Sequence, residues 1–186
     1  MNHNWEYKRL GDVCDILNGK NQKAVENPNG KFPIYGSGGI MGYADDYLCP
    51  ENCTIIGRKG SINNPIYVQT KFWNVDTAFG FSPKKDILIP RYLYYFCVQY
   101  DFLKHNKATT IPSLVKSDLL KINIPVPARE VQEQIVAELD AINEGIDELR
   151  AQIKDLDTLA QTLFYEIFGD PITNPKAWPH QKIGRV

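Results

Sequence analysis

The sequence predicts an α+β (mixed α/β) domain over residues 1–128, followed by one long coiled-coil helix over residues 129–168. Two observations carry this reading. The first 125 residues are rich in aromatic, β-branched and glycine residues, set in short apolar runs parted by turn chemistry. Residues 131–168 hold no proline and a single glycine, Gly145, and their apolar positions recur every three or four residues.

The elements follow in order. Phe32-Pro33-Ile34-Tyr35 runs into Gly36-Ser37-Gly38-Gly39, and Thr54-Ile55-Ile56 runs into Gly57-Arg58-Lys59-Gly60. Ile66-Tyr67-Val68 follows Asn63-Asn64-Pro65. These are strands joined by tight turns. A helix starts at Pro90 and runs through Arg91 to Val98, because proline at a helix start gives up an N–H that has no partner there. A short helix near Ser117–Leu120 leads into Ile122-Asn123-Ile124, and Pro125 and Pro127 form a stiff extended connector.

The long helix has a seam. Its apolar residues are Ile135, Leu139, Ile142, Ile146, Leu149, Ile153, Leu156, Ala160, Leu163 and Ile167. The alternating steps of four and three average to the heptad period, which makes a coiled-coil stripe. At about 1.5 Å per residue the helix spans roughly 57 Å. Gly169 and Pro171 end it. Charged residues such as Glu144, Asp147, Glu148 and Asp155 keep the outer positions wet, so the seam needs a partner. No second such segment lies in the chain, so that partner is another molecule, in a parallel or an antiparallel pair. The core helix of a bundle is the competing reading.

Composition bounds the rest. With 43% hydrophobic and 23% charged residues in 186, the chain is built to fold and not to stay disordered. No run of 18 apolar residues exists, which excludes a membrane-spanning helix. The opening Met-Asn-His-Asn-Trp has neither the basic nor the apolar part of a secretory signal, so a cytoplasmic location is expected. Four cysteines (Cys14, Cys49, Cys53, Cys97) are too few for a disulfide scaffold of this length and suit a reducing compartment. The net charge of −1 hides a split: +4 over residues 1–128, −7 over 129–168 and +2 over 169–186. The first region can face a phosphate backbone; the acidic helix cannot.

The chain also matches itself. Trp5-Glu6-Tyr7-Lys8-Arg9-Leu10-Gly11-Asp12-Val13 aligns with Trp178-Pro179-His180-Gln181-Lys182-Ile183-Gly184-Arg185-Val186, sharing Trp, Gly and Val. The match begins where a domain and its helix are complete. Residues 169–186 are therefore expected to open a second, truncated repeat, and to be disordered or loosely packed without the domain they belong to.

With these stretches in view, the chain resembles the specificity (S) subunit of type I restriction-modification systems, in a half-length form. The resemblance is carried by Trp5–Val13, Tyr35–Tyr43, Ile56–Ser61, Thr110-Ile111-Pro112-Ser113-Leu114, Lys116–Leu119, and Ile124-Pro125-Val126-Pro127 leading to Glu133-Gln134-Ile135. The proline-to-Glu-Gln junction into the long helix is the most specific of these. The resemblance implies a non-catalytic reader of double-stranded DNA. A complete subunit of that family carries two target-recognition domains spaced by two packed helices. It docks modification subunits, which methylate adenine at N6 with S-adenosylmethionine, and restriction subunits, which use ATP. It implies no cofactor on this chain itself. A chain with one domain and one helix would pair with a second copy, and two-fold pairing would present two identical arms to a symmetric two-part site.

DNA readers take affinity from phosphate contacts and sequence preference from base edges. The candidates here are Lys20, Gln22 and Lys23 in one basic loop and Ser37 in a glycine-rich turn. Arg58, Lys59, Ser61, Asn63 and Asn64 form a second loop, and Lys107, Thr109 and Thr110 a third. Arginine suits guanine and asparagine suits adenine, and Arg58 stands out in its glycine-flanked turn. For each loop a solvated surface turn is the competing reading.

Sharper chemistry is not supported. Asn64-Pro65-Ile66-Tyr67 lacks the second proline of an adenine methyltransferase motif. Cys49 and Cys53 have no second Cys/His pair at zinc spacing, so no metal site is expected. Gly36-Ser37-Gly38-Gly39 lacks the Gly-Lys-Ser/Thr end of a nucleotide loop. The aromatic run Tyr92, Tyr94, Tyr95, Phe96, Tyr100 and Phe102 fits core packing better than base stacking. Two other function classes compete: a coiled-coil protein-interaction module without DNA readout, and a DNA-modifying enzyme in its own right.

Overall fold

The computed structural model describes residues 5–108 and 110–179. The chain divides into two compact units between Leu139 and Asp140. The first is a mixed α/β unit. Its strands are β1 (Glu6–Arg9), β2 (Cys14–Asn18), β3 (Phe32–Gly36), β4 (Gly39–Ala44), β5 (Cys53–Gly57), β6 (Ile66–Val68), β7 (Trp73–Asn74), β8 (Ala78–Pro83) and β9 (Asn123–Val126). Its helices are α1 (Leu10–Val13), α2 (Pro90–Gln99) and α3 (Lys116–Leu119), with a 3₁₀ turn at Phe102–His105; the long helix α4 (Arg129–Phe168) begins here.

Three sheets share the work. The largest runs in the order β2-β8-β5-β6, antiparallel throughout. Every residue of β5 is buried, as expected of a strand covered on both faces. Edge strand β2 buries Cys14 and Ile16 and exposes Asp15 between them. The main core gathers Leu10, Ile56, Phe79, Phe81, Leu93 and Phe102 around this sheet and α2. The second sheet has β3 between antiparallel β4 and parallel β7. The predicted strands at 32–35, 54–56 and 66–68 and the helix from Pro90 are all present.

The third sheet is a ribbon of two strands, β1 against β9. It revises the expected connector, because Pro125 lies inside β9 opposite Tyr7. A ribbon has no further strand to pair with, so the proline costs no ladder there. The consequence is a tie between the start of the chain and the entrance to α4.

The first turns of α4 are pinned by Gln132, only 1% exposed. Its Oε1 accepts from Ile89 N–H at 3.0 Å, and its Nε2 donates to the Ile87 and Pro127 carbonyls, both at 3.0 Å. Ile135 and Val136 pack on the main core. The predicted seam therefore begins differently from its continuation: Ile135 is half-buried in the first unit.

The second unit holds the rest of α4 and the residues after it. Here Ile142, Ile146, Leu149, Ile153, Leu156, Leu163 and Ile167 are 39% to 64% exposed. An apolar stripe of this length is not a normal solvent face. No helix among the described residues is long and apolar enough to cross a membrane.

The tail, expected to be disordered or loosely packed, is mostly exposed but makes local hydrogen bonds as far as Pro179; the remainder of the aligned second repeat lies outside the described residues. Gly169, at φ 76°, turns the chain back, and its N–H donates to the Tyr165 carbonyl at 2.9 Å. Trp178 Nε1 donates to the Phe168 carbonyl at 2.9 Å, and Lys176 Nζ to the Glu166 and Ile167 carbonyls. Asn174 and Trp178 exchange two hydrogen bonds, at 2.8 and 2.9 Å. The cause is local: the last carbonyls of a helix lack intrahelical donors, and this segment carries three.

Candidate nucleic-acid interface

Strands β2 and β5 both run antiparallel to β8, which lies between them. The ends of β2 and β5 and the start of β8 therefore share one edge of the sheet. Three segments leave from it: Asn18–Lys20, Arg58–Lys59 and the turn before Ala78. Backbone bonds knit them together. The Arg58 and Lys59 amides both donate to the Thr77 carbonyl, at 2.8 and 3.2 Å, and the Lys20 amide donates to the Asn74 carbonyl at 3.0 Å.

A fourth segment closes on the same place. Leu114 N–H donates to the Arg58 carbonyl at 2.9 Å, Gly60 N–H to the Pro112 carbonyl at 3.3 Å, and Lys59 bridges Ser113. Gly57 is required here, since a β-carbon would collide with the Ser61 carbonyl and stand 3.1 Å from Ser37 Cβ. That proximity brings the β3–β4 turn alongside. Asn106 orders the approach of the fourth segment: its Oδ1 accepts from the amides of Ala108 at 3.0 Å and Ser113 at 2.9 Å.

Arg58 sits half-buried in the middle. Its guanidinium lies 5.8 Å from the Phe79 ring centroid, and Nη1 reaches the Asp76 carbonyl at 3.5 Å. Beside it opens a cavity of about 460 Å³ lined by Asn18, Phe79, Ser113, Leu114 and Lys116, among others. A guanidinium stacked on an aromatic face and held through one nitrogen keeps further donors for an incoming acceptor.

The predicted readers sort clearly. Lys20, Ser37, Arg58, Lys59 and Ser61 converge on this edge. Gln22 and Lys23 belong to the next turn, where the Gln22 carbonyl accepts from Val25 and Glu26 and the Lys23 amide caps onto Asn21 Oδ1. Asn64 and Thr110 are exposed, and Thr109 lies outside the described residues. Two candidates carry fold bonds instead of open groups. Asn63 donates to Asp101 Oδ1 at 2.7 Å and accepts from the Phe102 amide at 2.9 Å. Lys107 Nζ stands 2.5 Å from Asp118 Oδ2. Of the aromatic run, Tyr92, Tyr95 and Phe102 are buried, which places them in packing.

Four contributors were not among the predicted readers: Asn18, Ser113, Lys116 and the Asp76–Thr77 turn, although Ser113 and Lys116 lie in stretches that carry the family resemblance. Asn18 ends β2, Lys116 starts α3 and the others lie in loops, and pairing across the chain brings them beside Arg58. Among the described residues, no group of three or more His, Cys, Asp or Glu is placed to hold a metal ion.

Residues 2–156 match the family model for the type I restriction modification DNA specificity domain. The chain belongs to this family. A Haemophilus influenzae chain assigned as a type I restriction enzyme specificity subunit is 30% identical over 146 residues, covering 74% of this chain and 37% of that one. The type I restriction enzyme MjaVIII specificity subunit of Methanocaldococcus jannaschii is 26% identical over 195 residues, covering 98% and 46%. The crystal structure of the type I S subunit from M. genitalium superposes with a TM-score of 0.69 at 21% identity, over 90% of this chain and 46% of that one. That likeness is one of fold: a mixed α/β unit and a long helix. This specificity-domain chain spans between a third and a half of the length of these relatives.

Proposed function

We propose that this chain reads one half of a two-part DNA site and does no chemistry of its own. The observation that carries the reading is the convergence of Lys20, Ser37, Arg58, Lys59 and Ser61 on one sheet edge, in a chain of the specificity-domain family. Arg58 is the base-edge reader, with guanine as its preferred partner. Lys20, Lys59 and backbone amides of the surrounding turns hold phosphates, with Gln22, Lys23, Asn64, Thr109 and Thr110 on the flanks. Asn63 and Lys107 support these loops from within.

The open stripe from Ile142 to Ile167 supports the second half of the proposal: α4 pairs with the α4 of a second copy, so that two recognition units face two half-sites. The pair docks modification subunits, which bring S-adenosylmethionine, and restriction subunits, which bring ATP, in the cytoplasm. The chain binds neither cofactor. Light scattering over a range of concentrations tests the pairing, and a dimer is expected. DNA binding with the modification subunit added tests the readout, and a steep loss of affinity with salt is expected. A persistent monomer, or binding indifferent to salt, would overturn the corresponding half.

A further inference from the structure

We propose that the cavity between the Phe102–His105 turn and α3 is a second seat for a DNA backbone phosphate, separate from the Arg58 cavity. This rests on the DNA-reading proposal above and extends its footprint. The cavity measures about 340 Å³ and is lined by Lys104, His105, Asn106, Lys107, Asp118 and Lys121. Three lysines and a histidine thus surround one carboxylate.

That carboxylate is already engaged. Lys107 holds Asp118, and this hydrogen bond keeps the Asp118 carboxyl below the ordinary carboxylate range. The neighbouring Asp101 accepts from the Asn63 amide and from the Leu103 amide. Lys104 and Lys121 are exposed and form no ion pair among the described residues. They arrive from different segments, one from the turn after α2 and one from the end of α3. Asp101 feels Lys104 and Asp118 feels Lys121, yet three lysines against two carboxylates leave an excess of positive charge around the cavity, whose repulsion an anion offsets.

The chemistry of the lining selects the anion. The one ring in the lining, His105, is already stacked on Tyr100 and bonded to its hydroxyl, so what the cavity presents to an incoming group is chiefly the lysine ammonium groups. Lysine ammonium groups are mobile point charges, suited to phosphate and indifferent to sequence. Position selects its source. Asn106 Oδ1 accepts from Ser113 N–H, and Ser113 bridges Lys59, so the cavity continues the Arg58–Lys59 edge. A phosphodiester backbone crossing that edge supplies the phosphate.

The test is binding of the full chain, alone and with the modification subunit, to duplex DNA of mixed sequence across a salt series. The double variant Lys104→Ala, Lys121→Ala is expected to flatten the log–log salt slope by about 1.8, two contacts at about 0.9 each. Affinity should fall equally on every sequence. Lys104→Arg, Lys121→Arg should restore the slope, and Lys31→Ala, on a different loop, should leave it alone. If alanine harms folding, glutamine at both positions keeps most of the side chain and removes the charge. An unchanged slope, with wild-type binding intact and Arg58→Ala still weakening it, overturns this inference alone. So does altered sequence preference without a change of slope. Inorganic phosphate bound by the chain, with the DNA salt slope unchanged, identifies a free-anion seat and also overturns it. Wild-type binding that ignores salt removes the DNA-reading proposal and this inference together.

Discussion

Asn63 donates to Asp101 Oδ1 at 2.7 Å while its own Oδ1 accepts from Phe102 N–H at 2.9 Å. One amide thereby ties the loop after Arg58 to the turn that follows α2. A residue type suited to adenine is here used to order the reader. We predict that Asn63→Ala lowers the melting temperature and speeds hydrogen exchange at the Phe102 amide, while Asn64→Ala does neither. The Asn63 hydrogen bond also holds the Asp101 carboxyl below its ordinary value. A depressed carboxylate stabilises the fold above its unfolded pKa of about 3.9 and loses that effect as pH falls through the folded value. The Phe102 amide should therefore stay protected at pH 5 and lose protection only in stronger acid.

Arg58→Ala is expected to weaken binding to the cognate site by about 1–3 kcal/mol, roughly fivefold to 150-fold, and to relax preference at one base pair. Lys59→Ala should weaken binding evenly on all sequences. Titration of each variant against a panel of single-base site variants separates these patterns. An Arg58 variant with wild-type affinity and preference would remove it from the interface.

Leu149 and Leu156 lie in the exposed stripe of α4. Leu149→Asp, in a paired helix, leaves an unpartnered charge in an apolar seam, at a cost of about 3 kcal/mol or roughly two decades in Kd. Light scattering should show the equilibrium moved toward monomer, with the circular dichroism of the first unit retained. Ile135→Asp should behave differently and destabilise the fold itself, since Ile135 packs on the core.

Gln132→Ala removes the partners of the Ile89 amide and of the Ile87 and Pro127 carbonyls in a buried place. The expected loss is about 2–4 kcal/mol in urea unfolding. Gln134→Ala, with an exposed side chain bonded to Glu138, should cost about 0.2–0.5 kcal/mol.

All four cysteines are free and buried, and burial pushes every thiol up, Cys53 to about 11. A raised thiol keeps its proton in the fold and releases it in the unfolded chain. Stability from this source is intact below the unfolded thiol pKa of about 8.5 and declines as pH rises above it. Thiol reagents at pH 8 should react with none of the four until denaturant is added.

Much of this was legible in the residues. Strands appear where β-branched runs meet Gly, Asn and Pro, and α4 appears where apolar steps alternate by four and three, because both patterns are local and periodic. The family could be read from motifs spread over the chain. Arg58 could be singled out because glycines mark its turn. The roles of Asn63, Lys107 and Gln132 could not, since a polar side chain is legible as a reader or as a brace only once its partners are known.

Short-range pattern in the residues was therefore enough for the fold class, the long helix with its seam, and the family. Which polar groups stay open was settled by contacts across the fold. The parallel course of β2 and β5 beside β8 places Lys20 with Arg58, the Leu114–Arg58 pairing brings in Ser113 and Lys116, and β1 on β9 sets the start of the chain at the entrance to α4. These are contacts between distant or unlike segments, and no periodicity encodes them.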